Sequence, residues 1–344
     1  MSNSPKIFLS PGTSMSNQEI SEWNLANEKY TKKFEISNAE KRSVFIFFEK
    51  EKINNNKFVN DNDCEKFHTT MWKDHLDRIE DIFFNDPVGL LCDDLVRYAI
   101  YLTTGGQFVK TEIPYLEKRI EKKLLCDLLR ENNAYKQTII HGEYLTSESR
   151  VHHLTHLIYL EELCHINLSR LEVFIEFGGG YGSMTDLVKR LNPNMTQIVI
   201  DFPIMLLVQY YYLLFKYGES DVNLIKDSKD KIIEGKINLI PVNLVENFDI
   251  ENLCPDIFCA TWSLSEANKY TQNKFIKNYN FFNAGYVFYG YRKFIKTNPR
   301  QPCSKELNLT GYETLENKAS FWALNNEHFY QVLSRVDSVI KNIS

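Results

Sequence analysis

The most informative residues of the chain are four glycines in five consecutive positions, Gly178, Gly179, Gly180 and Gly182, with Tyr181 between them. They follow an apolar run that is typical of a buried strand and precede an amphipathic segment that is typical of a helix. Because glycine has no Cβ, a turn built from it can reverse sharply and bring its backbone close to a ligand. We therefore expect a small-molecule site at this turn; a purely structural glycine turn is the alternative.

The spacing of the glycines narrows the class of ligand. A dinucleotide fingerprint GxGxxG needs glycine where the chain has Ser183 or Thr185, and a phosphate-binding P-loop needs a lysine that does not follow Gly182. The pattern that the chain does fill is ExGxGxG, at Glu176, Gly178, Gly180 and Gly182. This spacing resembles motif I of the S-adenosylmethionine-dependent methyltransferases with the Rossmann-like, class I fold.

A second apolar run ends in an acidic residue, Asp201, which Phe202 and Pro203 follow. A carboxylate at the end of the strand beside a glycine turn can accept hydrogen bonds from both ribose hydroxyls of a nucleoside. Phe202 can pack on the adenine ring, and Asn243, just past the third strand run, can reach it. Helix capping by Asp201 and packing of Phe202 against the next helix are the structural alternatives.

Longer segments extend the resemblance to one family. The segments EFGGGYG and IVIDFP, the aromatic helix around Gln209 and the segment TWSLSE at 261–266 resemble the sugar O-methyltransferases of bacterial polysaccharide gene clusters. The chain departs from the family's pattern at Phe177, Phe202 and Ala267, and the resemblance covers residues 147–295. It implies a sugar hydroxyl as the acceptor and S-adenosylmethionine as the cofactor. The residues expected to bind that cofactor are Glu176, the turn from Gly178 to Gly182, Asp201, Phe202, Asn243, Thr261 and Trp262.

Methyl transfer to a hydroxyl is an in-line displacement in which the hydroxyl loses its proton, so a general base is expected near the acceptor. The candidates are His152, His153, His156 and Glu266. The histidines lie on one predicted helix, and an unperturbed imidazole has a pKa near 6.5. Satisfied histidines of a core or surface helix, and helix capping by Glu266, are the structural alternatives. The HHxxH pattern lacks the glutamate of a zinc hydrolase, so we predict no metal site.

A polar and aromatic group at the end of the fifth strand run is expected to bind the acceptor, because ligands of open α/β sheets bind at the carboxyl ends of strands. The group consists of Tyr289, Tyr291 and Arg292, with Ser263 from the end of the fourth run. An aromatic platform beside an arginine suits a sugar nucleotide, since arginine pairs well with a diphosphate. Core packing of the two tyrosines is the alternative.

Apolar runs that alternate with helical stretches predict the elements that carry these residues. Runs at 173–177, 197–200, 237–242, 257–261 and 281–291 are typical of a parallel sheet with covered faces. The stretch after the run at 257–261 predicts a helix to about Tyr279. The first 60 or so residues are polar, and we predict loops and short helices there. Two amphipathic helices are predicted over 71–102, with a break near Asp86, and further helices over 114–129 and 150–164. With the resemblance, this gives an α/β fold: a Rossmann-like class I methyltransferase sheet and an N-terminal helical region. The predicted domains are 1–145, for lid formation and acceptor selection, and 146–344, for cofactor binding.

The composition excludes several classes of protein. The 344 residues include 45 acidic and 40 basic ones, and the net charge of -5 counts against a nucleic-acid partner. The end of the fourth run also lacks the DPPY-type motif of base methyltransferases. Seven scattered cysteines without a CxxC pair are typical of reduced thiols. We see no signal peptide and no membrane span, and so expect a cytoplasmic protein.

The sequence thus predicts an S-adenosylmethionine-dependent O-methyltransferase that acts on a sugar hydroxyl of a capsule, lipopolysaccharide or related glycan precursor. Its partner is a small-molecule or sugar-nucleotide acceptor, and a homodimer is left open. The alternatives are a methyltransferase of another small acceptor (a phosphoramidate, an amine or a natural-product hydroxyl), a non-catalytic nucleotide-binding scaffold, and a nicotinamide oxidoreductase.

Overall fold

The computed structural model describes residues 54–60, 64–101, 107–131, 133–135, 139–141, 144–292, 306–319 and 328–336. The chain forms two compact units: one comprises Met1–Lys57 and Asp77–Tyr159, the other Phe58–Leu76 and Leu160–Ser344. The second unit therefore includes an early segment of the chain as well as its last part. Of the first 60 residues, for which loops and short helices are predicted, 54–60 form a helix and the others lie outside the described residues.

Helices and strands alternate along most of the described chain. The helices are α1 (54–60), α2 (Thr70–Asn85), α3 (Asp94–Ile100), α4 (Gln107–Glu117), α5 (Lys122–Leu129), α6 (Glu148–Cys164), α7 (Ser183–Leu191), α8 (Pro203–Tyr217), α9 (Ser263–Glu266) and α10 (Lys269–Asn273). The strands are β1 (Ile139–His141), β2 (Tyr144–Thr146), β3 (Val173–Phe177), β4 (Thr196–Asp201), β5 (Val222–Leu224), β6 (Ile237–Pro241), β7 (Ile257–Thr261), β8 (Tyr286–Arg292), β9 (Tyr312–Ala319) and β10 (His328–Arg335).

The described part of the first unit is mainly helical, with one short antiparallel hairpin of β1 and β2. The predicted break near Asp86 is confirmed, because α2 ends one residue earlier and the Asp86 carboxylate caps the following turn. The single helix predicted over 114–129 is wrong. Pro114 lies inside α4, and α5 begins separately after Glu121, whose carboxylate accepts a hydrogen bond from the Leu124 amide at 3.1 Å.

Eight strands of the second unit form one sheet in the order β5-β6-β4-β3-β7-β8-β10-β9. The first six are parallel, and β10 pairs antiparallel with both β8 and β9. Counted in chain order, β3, β4, β6, β7 and β8 stand in the order 3-2-1-4-5 of Rossmann-like, doubly wound sheets. The predicted α/β fold class is confirmed, and the bounds of β3, β4, β6 and β7 agree with the predicted runs to within a residue.

The central strands are buried along their whole length. Every residue of β3, β4 and β6 is buried, which explains why these strands are largely apolar on both faces rather than alternating. Two acidic side chains, Glu176 and Asp201, are nevertheless among these buried residues. Burying a carboxylate is unfavourable unless donors surround it, so both must be hydrogen-bonded within the fold.

The helix predicted to run from β7 to about Tyr279 is wrong. The structure has three short pieces instead, α9, α10 and a π-helical turn at Lys274–Asn278. The interruption has a local cause: Asn268 begins a new helix, because its side-chain oxygen accepts a hydrogen bond from the Thr271 amide at 2.9 Å.

The strand predicted over 281–291 is also too long, since β8 begins at Tyr286. Residues 280–283 form a turn in which φ lies between 45° and 55°, a left-handed conformation that costs residues with side chains about 1–2 kcal/mol each. The rings of Phe281 and Phe282 are buried in the core, within 5.0 and 6.3 Å of the Phe258 ring. Burial of these two rings offsets the unfavourable backbone.

Gly290, within β8, lies so close to the residues at the end of β7 that a side chain would fit only if they shifted. A Cβ there would lie 3.0 Å from the backbone nitrogen of Trp262 and 3.1 Å from the Thr261 Cα on the neighbouring strand.

We expect Gly290→Ala to lower the free energy of unfolding by about 1–3 kcal/mol, as substitutions that overpack other interior sites do. Urea unfolding measures the loss. Gly285→Ala is the matched control, because its nearest contact would be one carbonyl oxygen at 3.2 Å. Equal losses from the two changes would contradict this explanation.

Candidate functional site

The glycine turn joins β3 to α7 in the second unit. Gly178, Gly180 and Gly182 have φ values of 77°, 56° and 99°, which residues with side chains rarely adopt. The Gly178 amide donates to the Ile200 carbonyl at 2.9 Å and so fixes the turn to the end of β4. A Cβ at Gly178 would overlap the Cβ of Ser263. The Ser263 hydroxyl donates to the carbonyl of Phe177, the last residue of β3. The turn therefore requires glycine and brings β3 against the start of α9.

The Asp201 carboxylate is buried against this turn. The Phe202 amide donates to its Oδ1 at 2.8 Å, the Gln209 side-chain amide donates to its Oδ2 at 2.7 Å, and the Gly179 amide is a further donor. Burial raises the pKa of Asp201 to about 7, and these donors oppose the rise because they favour the ionised form. The carboxylate predicted to bind ribose is thus hydrogen-bonded to the glycine turn.

Glu176 lies below the turn, within β3. Its carboxyl accepts a hydrogen bond from the Thr185 hydroxyl in the first turn of α7, at 2.6 Å. Burial raises the pKa of Glu176 to about 7; the Thr185 bond opposes this rise, and the charge of Asp201 adds to it. Two carboxyls on neighbouring strands therefore both titrate near neutral pH. The bond to Thr185 favours a role for Glu176 in holding α7 against the turn.

An early segment of the chain, residues 64–72, belongs to the same edge of the sheet, although no site residue is predicted there. The Cys64 thiol donates to the Asn243 side-chain oxygen at 3.4 Å, and the His68 ring lies 5.9 Å from the Phe202 ring, edge to face. The Asn268 side-chain amide donates to the His68 carbonyl at 3.0 Å. Both residues predicted to lie beside adenine, Phe202 and Asn243, thus contact this segment, whose polar and weakly periodic sequence gave no signal.

Trp262 follows Thr261 at the end of β7 in a strained conformation. Its φ of 65° is unusual for a bulky residue. Its amide donates to the Gly290 carbonyl at 3.1 Å, which fixes this conformation against β8. Its indole contacts the rings of His328 and Tyr330 edge to face, with centroids 5.7 and 5.3 Å away. Thr261 and Trp262, both predicted to bind the cofactor, therefore lie two residues and one residue before Ser263, which contacts the glycine turn.

Glu266 and Arg292 interact at this edge. Burial raises the pKa of Glu266, while the charge of Arg292 and a hydrogen bond from the Trp72 side chain lower it. Arg292 Nη2 lies 3.2 Å from His328 Nε2, and the two residues are paired in register on β8 and β10. Trp72 and His328 were not predicted as site residues. Neither belongs to a sequence motif, and both reach the group from elements that are distant in sequence.

Tyr289 and Tyr291 do not join this group. The two residues are 1% and 0% exposed and belong to the hydrophobic core, where their rings stack with centroids 5.5 Å apart. The Tyr291 hydroxyl donates to the Asn317 side chain on β9 at 2.9 Å. The structure therefore places the two tyrosines as the core-packing alternative describes, and leaves Arg292 and Ser263 at the edge.

The carboxyl edge of the sheet thus has two halves with different chemistry. On one side, the glycine turn, Asp201 and Phe202 offer hydrogen-bond acceptors, backbone groups and an aromatic ring. On the other side, Glu266, Arg292 and the ring of Trp262 offer a carboxylate, a guanidinium and an indole. Ser263 lies between the halves, because its Cβ packs on Gly178.

The three histidines predicted as bases lie on α6, in the first unit. His152 Nδ1 is 2.7 Å from the buried Glu112 carboxylate, and the rings of His152 and His156 are 4.1 Å apart. Burial lowers the pKa of His156, and burial lowers that of His153 to about 3. Imidazoles with such low pKa values are weak bases at neutral pH.

Within the described ranges, no three histidine, cysteine, aspartate or glutamate side chains are grouped so that they could hold a metal ion. The helices of the same ranges include none with the length and apolar character needed to cross a membrane.

Comparisons with known proteins find only distant similarity. No family model matches the chain, and no curated protein matches it. Among solved structures it is similar to a mutant of MtNAS in complex with S-adenosylmethionine, at 10% identity over 77% of this chain and 98% of that one, with a TM-score of 0.38. An O-methyltransferase family protein from Burkholderia thailandensis matches at 12% identity (67% and 71% covered, TM-score 0.34), and the mitomycin 7-O-methyltransferase MmcR at 7% (75% of each, TM-score 0.34). Similarity this distant carries no information about activity or acceptor.

The neutral imidazole of His153 predicts a pH dependence of stability. Its pKa is about 3 in the folded chain and 6.5 without burial, so below pH 6.5 the unfolded state binds more protons. Stability is therefore fully present above that pH and falls as the pH decreases towards 3, by up to about 1.4 kcal/mol per pH unit. Urea unfolding at a series of pH values should show this loss, and His153→Leu should reduce it.

His165→Leu is the control, because His165 is exposed. It should leave the pH dependence of unfolding as it is in the wild type. A pH dependence that is equally steep in wild type and His153→Leu would show that other groups cause it.

Proposed function

We propose that the chain is an S-adenosylmethionine-dependent methyltransferase. The observation that carries the proposal is the position of Asp201, whose carboxylate ends β4 and accepts a hydrogen bond from the glycine turn that ends β3. The strand order reverses beside β3, and ligands of doubly wound sheets bind outside the carboxyl ends of strands at that point. The ExGxGxG spacing, which fits neither a dinucleotide fingerprint nor a P-loop, favours S-adenosylmethionine as the ligand.

The residues present fit this cofactor. A carboxylate can accept about four hydrogen bonds, and three donors of the described chain reach Asp201, so a ribose hydroxyl can still donate to it. The half-buried Phe202 ring offers a face for adenine beside the His68 ring. Gly178 and Gly180 are also only half-buried, so backbone groups of the turn remain within reach of a ligand.

When bound, S-adenosylmethionine supplies a methyl group on a positively charged sulfur to a nucleophile that is aligned with it. The residues beyond Ser263 are proposed to orient that nucleophile and to remove its proton. Glu266 is suited to this role, because burial raises the pKa of its carboxyl and so makes it a stronger base than an exposed glutamate. Arg292 and the Trp72 side chain favour the ionised form that can accept a proton.

As acceptor we propose a sugar hydroxyl of a polysaccharide or glycan precursor. The family resemblance over residues 147–295 suggests this class, and the chemistry of the edge is compatible with it. Glu266 and Arg292 provide an acceptor and donors for hydroxyls, and the Trp262 indole provides an apolar surface for the C–H face of a sugar ring. Because the carboxylate and the guanidinium offset each other's charge, an uncharged, hydroxyl-rich group is accommodated without an unpaired ion.

The cofactor proposal predicts binding of S-adenosylhomocysteine, and not of NAD, in titration calorimetry. Asp201→Asn should weaken this binding by about 1–3 kcal/mol, because hydrogen bonds to a charged group are replaced by weaker ones. Asp230→Asn is the matched control: its carboxylate accepts hydrogen bonds from the Lys226 and Asp227 amides in a separate loop. Unchanged affinity in Asp201→Asn would refute the ribose role, and binding of NAD alone would refute a methyltransferase.

The acceptor proposal predicts a product heavier by one CH2 unit when the protein and S-adenosylmethionine are incubated with neutral glycans or sugar nucleotides. Mass spectrometry detects it. With such a substrate, Glu266→Gln should lower turnover at saturation by about a hundredfold or more, whereas Glu313→Gln on the exposed part of β9 should not. If turnover falls instead in a variant of His152, His153 or His156, the base lies on α6. If no glycan gains mass while S-adenosylhomocysteine still binds, the acceptor is of another class.

A further inference from the structure

The side chain of Gln209, on α8, lies directly beneath the glycine turn. It is 0% exposed. Its Nε2 donates to Asp201 Oδ2 at 2.7 Å and to the Gly180 carbonyl at 3.2 Å. One amide group therefore connects the end of β4 with the middle of the turn that ends β3.

The turn and this amide are fitted to each other. A Cβ at Gly179 would lie 3.0 Å from Gln209 Nε2 and 2.9 Å from a methyl of Val199, so only glycine leaves space for the amide. A Cβ at Gly182 would lie 3.2 Å from the Tyr212 ring, one helical turn further along α8. Helix α8 is thus the surface on which the glycine turn rests, and Gln209 is its polar contact.

The orientation of the amide leaves one atom unsatisfied. Gln209 Oε1 is buried and has no hydrogen-bond partner among the described residues. A buried acceptor without a partner destabilises a fold, so a packing role alone would favour an apolar residue here. Both neighbours that the amide does reach, a carboxylate and a carbonyl, require a donor. The NH2 end must therefore point at them, and the unsatisfied oxygen follows from that requirement.

Gln209 also acts on the ionisation of its neighbour. Its hydrogen bond favours the charged form of Asp201 and opposes the effect of burial on the pKa of that carboxyl. The other groups that face Asp201 are the Phe202 and Gly179 amides, and the charge of Asp201 in turn raises the pKa of the Glu176 carboxyl on β3. Of these, the Gln209 amide is the side-chain donor, and a substitution can remove it without changing the backbone.

We propose that Gln209 is a positioning residue of the cofactor site: its amide holds the Asp201 carboxylate and the Gly180 carbonyl in the arrangement that receives the ribose and the adjoining part of the cofactor. This inference rests on the proposed function. It assigns to α8 a role that neither the ExGxGxG motif nor the acidic end of β4 indicates.

Calorimetry with S-adenosylhomocysteine over a range of pH tests the proposal. In the wild type, affinity should decrease as the pH falls below about 7, because Asp201 becomes protonated. Gln209→Leu should bind at least tenfold more weakly at neutral pH, and its decrease should begin at a higher pH, because the carboxyl has lost a donor. Gln331→Leu is the matched control: Gln331 is also fully buried but bonds the Leu307 backbone, so its loss should leave the affinity and its pH dependence unchanged.

Circular dichroism shows whether Gln209→Leu folds. If it does not, Gln209→Glu replaces it in the test, because glutamate is nearly the same size as glutamine. When protonated, the introduced carboxyl can donate to Asp201; when ionised, it repels it. Affinity should therefore fall again as the pH rises and both carboxyls ionise, whereas the wild type keeps its affinity there. A wild-type affinity and pH dependence in both folded variants would overturn the inference while leaving the methyltransferase proposal intact. Absence of S-adenosylhomocysteine binding by the wild type would instead overturn the proposed function, and the inference with it.

Discussion

The burial of the Asp201 carboxyl beside the glycine turn is the constraint on which the arrangement of the second unit depends. A carboxylate in this position needs donors, and they come from three sources: the turn, the residue that follows the strand, and α8. Each source limits the sequence around it. The turn must lack side chains where α8 and Ser263 approach it, and α8 must carry an amide where an apolar residue would otherwise pack. The glycines of the turn and Asp201 therefore depend on each other and form one structural unit, although they appear in the sequence as two separate motifs.

The opposite half of the edge depends on a second close approach, between β7 and β8. Gly290 lets the two backbones meet, and Trp262 is held there with a positive φ. Because β10 runs antiparallel to β8, its first residue lies at the same edge as the last residue of β8, which pairs His328 with Arg292. Strand β10 thus supplies two aromatic rings, His328 and Tyr330, around the indole.

The sequence predicts the part of this structure that local patterns determine. Buried parallel strands are apolar along their length, so β3, β4, β6 and β7 were found nearly to the residue, and the glycine turn and Asp201 follow from their ends. The turn at 280–283 could not be predicted, because two adjacent phenylalanines are typical of a strand. Their left-handed backbone conformation is stabilised only by burial of their rings in the core. Trp72 and His328 were missed for a related reason. Their positions depend on contacts between distant parts of the chain, and such contacts produce no periodic pattern in the sequence.

The early segment that completes the second unit has a consequence for how the protein is made. The Thr271 hydroxyl donates to the Phe67 carbonyl at 2.7 Å across 204 residues of chain, and Asn268 bonds the same segment. Residues 64–72 leave the ribosome long before the strands they join, so these non-local contacts can form only after residue 271 has been synthesised. Until then the His68 carbonyl lacks the Asn268 donor and the Trp72 side chain lacks its hydrogen bond to Glu266. A fragment that begins at the first strand of the large sheet would carry the complete glycine turn but neither of these side chains.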